Sequence, residues 1–197
     1  MSSDSAPINL TNHFLIAMPG LSDEVFGRSV VYMCEHSQNG ALGLVINTPS
    51  DILLPQLFEK LDLSLQRPDL MQTPVFQGGP VQTERGFVLH EAIDSGEPSE
   101  SVYASTMTIP GGLEMTTSKD VLDAMAVGAG PAKVFITLGY AAWGEGQLES
   151  EITENSWLTV QADPALIFDT PVEQRYEKAM KLLGLEPWML SPDAGHA

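Results

Sequence analysis

Cys34, Glu35 and His36 stand in a row at the end of the apolar run VVYMCEH. On a strand, residues 34 and 36 share a face, so a thiol activated by an imidazole is sterically possible. Against this, Cys34 follows four core-like residues, and a thiol buried among apolar groups behaves as a small hydrophobe and is inert. The core reading is preferred. The histidines, His13, His36, His90 and His196, show no metal-ligand spacing such as HExxH. His36 and His90 each close an apolar run and each has a glutamate beside it, Glu35 and Glu91. A mixed His/Glu pocket forms only if those two strand ends converge. No metal and no cofactor is expected. Gly78 and Gly79, in GGP, could aim backbone amides at an anion. They lack the GK[ST] of a phosphate loop, so a turn of positive φ is the preferred reading. Ser22 and Ser118 sit in no GxSxG elbow.

The densest candidate is GYAAWGEGQLESEI, residues 139–152. Glycines between a strand and a helix leave free amides at the helix start, a ready anion site. Four glutamates and no base between residues 145 and 154 repel a phosphate and themselves complement the dipole. The stretch is read as a self-capped strand-to-helix turn. Trp143, with Glu145, Gln147 and Glu149, is its candidate docking surface, because tryptophan is enriched among residues that dominate interfaces.

These groups must be positioned by elements readable from period and punctuation. Residues 14–18 (FLIAM) form a strand stopped by Pro19-Gly20. SVVYMCEH and ALGLVIN flank Asn39-Gly40, a hairpin signal whose loop the preceding Ser37-Gln38 lengthens. Pro55 opens a helix with Leu54, Leu57, Phe58 and Leu61 at helical spacing. Residues 64–73 read as loop, and strands at 75–77 and 86–90 flank the GGP turn. Residues 91–100 read as an acidic loop and 102–109 as a strand. Thr117 and Asp120 resemble a capping box for a helix that buries Val121, Leu122 and Met125. AKVFITL is a strong strand that ends near Gly139, and a helix follows from about residues 144–146. Strands are expected at 157–161 and 166–168. The last helix is capped by Thr170, with Pro171 at the first helical position and Glu173 closing the box. Its apolar face is Val172, Tyr176, Ala179, Met180 and Leu183, and Gly184 ends it. Strands and helices do not alternate as regular βαβ units, which favours α+β.

The 197 residues make one domain with a sizeable core: 43% are hydrophobic and only 18% charged. With 26 acidic against 9 basic residues the formal charge is −17, which repels nucleic acid and anionic lipid. The one basic cluster, Arg175, Lys178 and Lys181, lies in the last helix, where the dipole explains it. A lone cysteine excludes an internal disulfide and suits a reducing compartment. The N-terminal twenty residues lack a basic leader region, and FLIAM is too short for a signal core or a span. The expectation is a cytoplasmic protein with no membrane segment. Residues 1–11 are expected to be a flexible N-terminus, 12–190 the domain and 191–197 a flexible tail.

Four motifs occur in order: LIAMPGLSDEVFGRSVVYMCEHSQNGALGLVIN, VFQGGPVQTERGFVLH, TTSKDVLDAMAVGAGP and LGYAAWGEGQLESEITENSWL. Together they resemble the bacterial YqgE/AlgH family over residues 12–184. Two positions depart from the family pattern: Ala142, where GYAGW is usual, and Tyr176, where tryptophan is usual. The resemblance implies an α+β single domain, its mixed or antiparallel sheet bent into a pseudo-barrel with about four helices around it. It implies no catalytic residues, and one family name carries a regulatory connotation.

Two functional readings stand. The first is a regulatory or adaptor protein, not an enzyme, meeting a protein partner through Trp143, Glu145, Gln147 and Glu149. The second is a ligand-binding protein or enzyme with a pocket of Glu35, His36, His90, Gly78 and Gly79 beside the 139–147 turn. A direct DNA-binding regulator ranks last for want of a basic stripe.

Overall fold

The computed structural model describes residues 8–19, 28–92 and 103–184. Most of the acidic loop expected at 91–100, Val102, Ser22, residues 1–7 and the tail from 185 lie outside the described residues. Among the described residues, ten strands form one mixed sheet that curls into a half-barrel with five α-helices around it. That is an α+β single domain with one helix more than expected.

Three strands open the chain. β1 (His13–Ala17) pairs antiparallel with β2 (Val30–Ser37), and β2 with β3 (Gly40–Val45). Their period of two sorts side chains onto two faces. Phe14, Ile16, Val30 and Tyr32 enter the main core, while Leu15, Ala17, Val31 and Met33 enter a second cluster on the opposite face. The hairpin turn is tighter than expected. Ser37 pairs with Gly40, so the loop is Gln38-Asn39, and Gly40 already belongs to β3.

β4 (Pro49–Leu53), unforeseen in the sequence, pairs with β5 (Pro74–Gln77). Between them α1 (Leu54–Lys60) buries Leu54 and Phe58, leaving Leu61 at 37% exposure. In the expected loop at 64–73, Pro68–Leu70 forms one 3-10 turn. There Arg67 binds Asp69 and donates to the carbonyls of Ala129, Pro131 and Ala132, which fastens two distant loops together.

β6 (Val81–Glu91) is twice the expected strand and pairs with β8 (Leu113–Thr116), itself paired with β7 (Thr106–Ile109). β8 is short and follows β7 after a tight turn, so no separate strand signal stood out. α2 (Asp120–Ala126) has Lys119, not Thr117, at its N-cap position. The Asp120 carboxylate accepts from the Ser118 hydroxyl and the Ala104 amide instead, tying the preceding loop to the helix.

β9 (Val134–Trp143) does not end at Gly139; it runs on through the glycine to Trp143. Residues 134–140 pair with β6, Thr137 and Leu138 pair parallel with β5, and residues 141–143 pair with β3. One strand thus serves both halves of the sheet. α3 (Gln147–Thr153) follows, then β10 (Trp157–Gln161), which returns to β1.

The expected strand at 166–168 is a helix, α4 (Pro164–Phe168). Asp163 caps it by accepting from the Ala165 amide, and Pro164 supplies the first helical φ. α5 (Arg175–Leu182) starts later than expected. Thr170 caps nothing there; its hydroxyl donates to the Ala165 carbonyl of α4, and a 3-10 turn, Val172–Gln174, leads in. Tyr176, Ala179 and Met180 close the main core, as the pattern indicated.

Arg175 is the largest departure from the expected basic face. It is buried, lies 5.0 Å from the Phe76 ring, and donates to the carbonyls of Thr170 and Ile46. Burial pushes its guanidinium down to about 10. It is a core arginine, so only Lys178 and Lys181 of the expected basic cluster stand at the surface.

The branch in β9 rests on one backbone crossing. Gly139 has φ +80, and a Cβ there would lie 2.5 Å from the carbonyl oxygen of Gly79. Gly139→Ala should therefore combine left-handed strain with a backbone clash and cost roughly 3 kcal/mol or more. Gly146→Ala, with φ +75 but nothing within 4 Å, should cost only about 1–2 kcal/mol. Urea midpoints of the two variants check this; equal losses would remove the crossing from the account.

Candidate functional site

The curled sheet divides the sequence-derived site residues between its two ends. A β-bulge between Met33 and Glu35 changes the parity of β2. Cys34 therefore joins Tyr32 in the main core, whereas His36 lines up with Ala41 of β3 and Trp143 of β9 on the opposite face. The Cys34–His36 pairing expected from strand alternation is undone by that one extra residue. Burial, then the Glu35 charge, pushes the Cys34 thiol up, and its sulfur lies near the Tyr32 carbonyl. It is an unreactive core residue, as preferred above.

His36 is buried and held at both nitrogens. Nδ1 accepts from the Leu10 amide at 3.0 Å, which fixes the proton of the neutral ring on Nε2. Nε2 meets the Glu149 carboxylate at 2.5 Å. The Thr11 hydroxyl oxygen accepts from the His36 amide. Leu10 is itself buried, so residues 8–11 are docked on β2 and are not the loose terminus that was expected. With neither nitrogen open, His36 is not placed to act as a general base. Its job is to anchor Glu149. Burial would raise that carboxyl, but the hydrogen bond from the His36 ring and its own backbone amide hold it below the usual carboxylate range.

Above this pair opens a cleft of about 630 Å³, lined by Ile8, Asn9, the Ser37-Gln38 turn, Glu145, Gly146 and Glu149. Glu145 is exposed, and Ile8 at the mouth is 59% exposed. Among the described residues no lysine or arginine lines it.

Two of the expected docking residues, Trp143 and Gln147, stand outside this cleft. Trp143 is not a surface aromatic: it is 5% exposed and meets Trp157 edge to face at 6.2 Å. The Glu151 carboxylate accepts from both indole nitrogens, at 3.3 and 3.0 Å. Gln147 caps its own turn by accepting from the Gly144 amide. Ala142 points to solvent, so its extra methyl obstructs nothing.

His90 lies at the far end of the sheet. Its register partners are Glu114 and Val134, so β9 separates it from the His36 row by roughly 30 Å of extended strand. It is fully buried, with Nδ1 donating to the Glu91 carbonyl and Nε2 on the Thr116 hydroxyl. The shared His36/His90 pocket does not exist. Glu35 is exposed on the other face from His36, alongside Leu42 and Ala142. Gly78 and Gly79 sit against the β9 backbone, and the Gly78 amide donates to Leu138 rather than to a ligand. Among the described residues no group of three or more His, Cys, Asp or Glu is placed to hold a metal ion. Among the same residues no helix is long and apolar enough to cross a membrane.

Fold and site together define a class: a single α+β domain with a branched central strand and an acidic cleft. The chain belongs to the AlgH-like family (DUF179), whose profile matches residues 14–188. It is 76% identical over 197 residues to a UPF0301 protein of Polaromonas sp. (strain JS666 / ATCC BAA-500), and 74% identical over 199 residues to one of Variovorax paradoxus (strain S110). Both alignments cover all of each chain. The solution structure of the AlgH protein from Pseudomonas aeruginosa superposes with a TM-score of 0.75 at 47% identity, covering both chains fully. The protein DIP2367 of Corynebacterium diphtheriae, at 19% identity and TM-score 0.69, covers 87% of this chain and 86% of its own, and shares the fold.

The anchored carboxylate has a pH signature. Its folded value lies below the unfolded one of about 4.3, so its contribution to stability is present above that pH and is lost as pH falls through the folded value. Denaturation of the native protein and Glu149→Gln should show a constant gap from pH 7 to about 5 that begins to narrow below about 4. A gap unchanged down to pH 3 would mean that His36 does not select the ionised form.

Proposed function

We propose that this protein acts by binding rather than by catalysis, as a cytoplasmic regulatory or adaptor protein whose His36–Glu149 cleft receives a basic segment of a partner protein. One observation carries the reading. The cleft's charged groups, Glu145 and Glu149, are both acidic, and Glu149 is held ionised by a buried histidine that has no nitrogen left for chemistry. Ile8 and the Gln38 amide beside them suit a segment that alternates apolar and basic side chains. A net charge of −17 steers such a partner at long range. The docking surface thus moves from the Trp143 indole, which is core, to the cleft that α3 and the β2–β3 turn enclose. Burial of Arg175 counts against the DNA-binding reading, because it removes a base from the only cluster.

The test is a calorimetric titration with a library of short Lys/Arg-containing peptides at low and high salt. One sequence class should bind, more weakly in high salt, and Glu145→Lys should lower its affinity about tenfold, or about 1.4 kcal/mol. Lys181→Ala, on the far helix, should leave it unchanged. Binding that ignores Glu145→Lys, or no peptide binding at all, would sink the reading.

A further inference from the structure

A second cavity, of about 270 Å³, lies away from the acidic cleft, where α1 and α2 diverge over the β6–β9 face. Its walls are Leu57 of α1 with Leu61 just past its end, Leu122 of α2, and Val88, Ile136 and Leu138 of the sheet. Its volume sits just below the small-molecule range of about 300–1,000 Å³.

Gly86, on its floor, is the informative residue. It pairs with Leu138 where β6 regains its register against β9, after the irregular stretch between Val81 and Gly86. Its φ lies outside the left-handed region, and an added Cβ would meet Leu138 and the Thr137 carbonyl only at 3.9 Å, an ordinary contact. Neither a left-handed φ nor crowding by neighbours demands glycine there. Its effect is to leave the cavity empty at the point where a side chain would fill it. The mouth carries Lys119, which has no ion-pair partner among the described residues, and Glu84.

We infer that this cavity is a binding site for a small molecule with an apolar body and a single anionic head, the body over Gly86 and the head at Lys119. A multiply charged anion is disfavoured by Glu84 at the same mouth. The site is separate from the His36–Glu149 cleft and shares no lining residue with it.

Straight-chain carboxylates from butanoate to dodecanoate, below their micelle concentrations, test it by isotope-edited NMR on the intact protein. Affinity should rise about fourfold per added methylene and then stop rising once the cavity is full. The shifts should be confined to the Gly86 amide and the methyls of Leu57, Leu122, Ile136 and Leu138. Gly86→Leu fills the floor without backbone strain, so it should fold with an unchanged circular dichroism spectrum and lose binding tenfold or more. Lys119→Ala should weaken the carboxylate up to about fivefold and leave the matching alcohol unaffected, while Glu84→Gln tightens the carboxylate. No binding at any length, affinity that climbs without a plateau, or full binding by folded Gly86→Leu would overturn the site. Should Gly86→Leu fail to fold, the Lys119→Ala comparison of acid and alcohol decides alone: equal effects on both overturn it.

Discussion

The close crossing of Gly139 over the Gly78-Gly79 backbone is the constraint on which the rest of this structure depends. A strand with side chains at these positions could not change partners there, because a Cβ on Gly78 or Gly139 would fall within about 2.5 Å of a carbonyl oxygen across the crossing. With glycine, β9 leaves β6 and β5 and continues onto β3 without breaking. The two halves of the sheet then share one strand. Phe135 and Ile136 on one stretch, and Ala141 and Trp143 on the next, feed all three hydrophobic clusters.

That continuity also places the acidic cleft. Trp143 carries β9 into the second cluster, where Trp157, Leu148 and Met33 pack around it, and α3 is seated by Leu148. Glu149, the next residue, is thereby brought over His36. The bulge in β2 turns His36 to meet it, and the Leu10 amide closes the last open nitrogen. The result is a carboxylate fixed in a cleft by a histidine that serves as a bracket. The groups with chemical potential, Cys34, His36 and His90, each find a partner inside the protein.

Much of the fold was legible because local chemistry and tertiary demand agreed. Pro55 does open a helix, residues 157–161 do form a strand, and the face of Tyr176, Ala179 and Met180 is buried as its spacing required. Legibility failed where a residue's partner was distant in sequence. Arg175 reads as a solvated base on a helix, yet it lies under Phe76 and Phe135 because the Ile46 and Thr170 carbonyls need a donor there. Trp143 reads as a docking aromatic, yet Trp157 and Glu151 close over it. The segment at 166–168 reads as a strand because three apolar residues carry no period; Asp163-Pro164 just before it held the helix signal.

By itself the sequence determined the class of fold, the acidic character, the core placement of a cysteine set in an apolar run, and the family. Those depend on composition, on periods of two and 3.6, and on motifs whose residues are neighbours along the chain. Only the tertiary structure decided which face His36 takes, that it meets Glu149 and not His90, and that Gly86 lies beneath an open cavity. A one-residue bulge reverses every later side chain on a strand, and a strand that changes partners at a glycine separates residues that pattern alone would place together. Neither event leaves a periodic trace in the order of the amino acids.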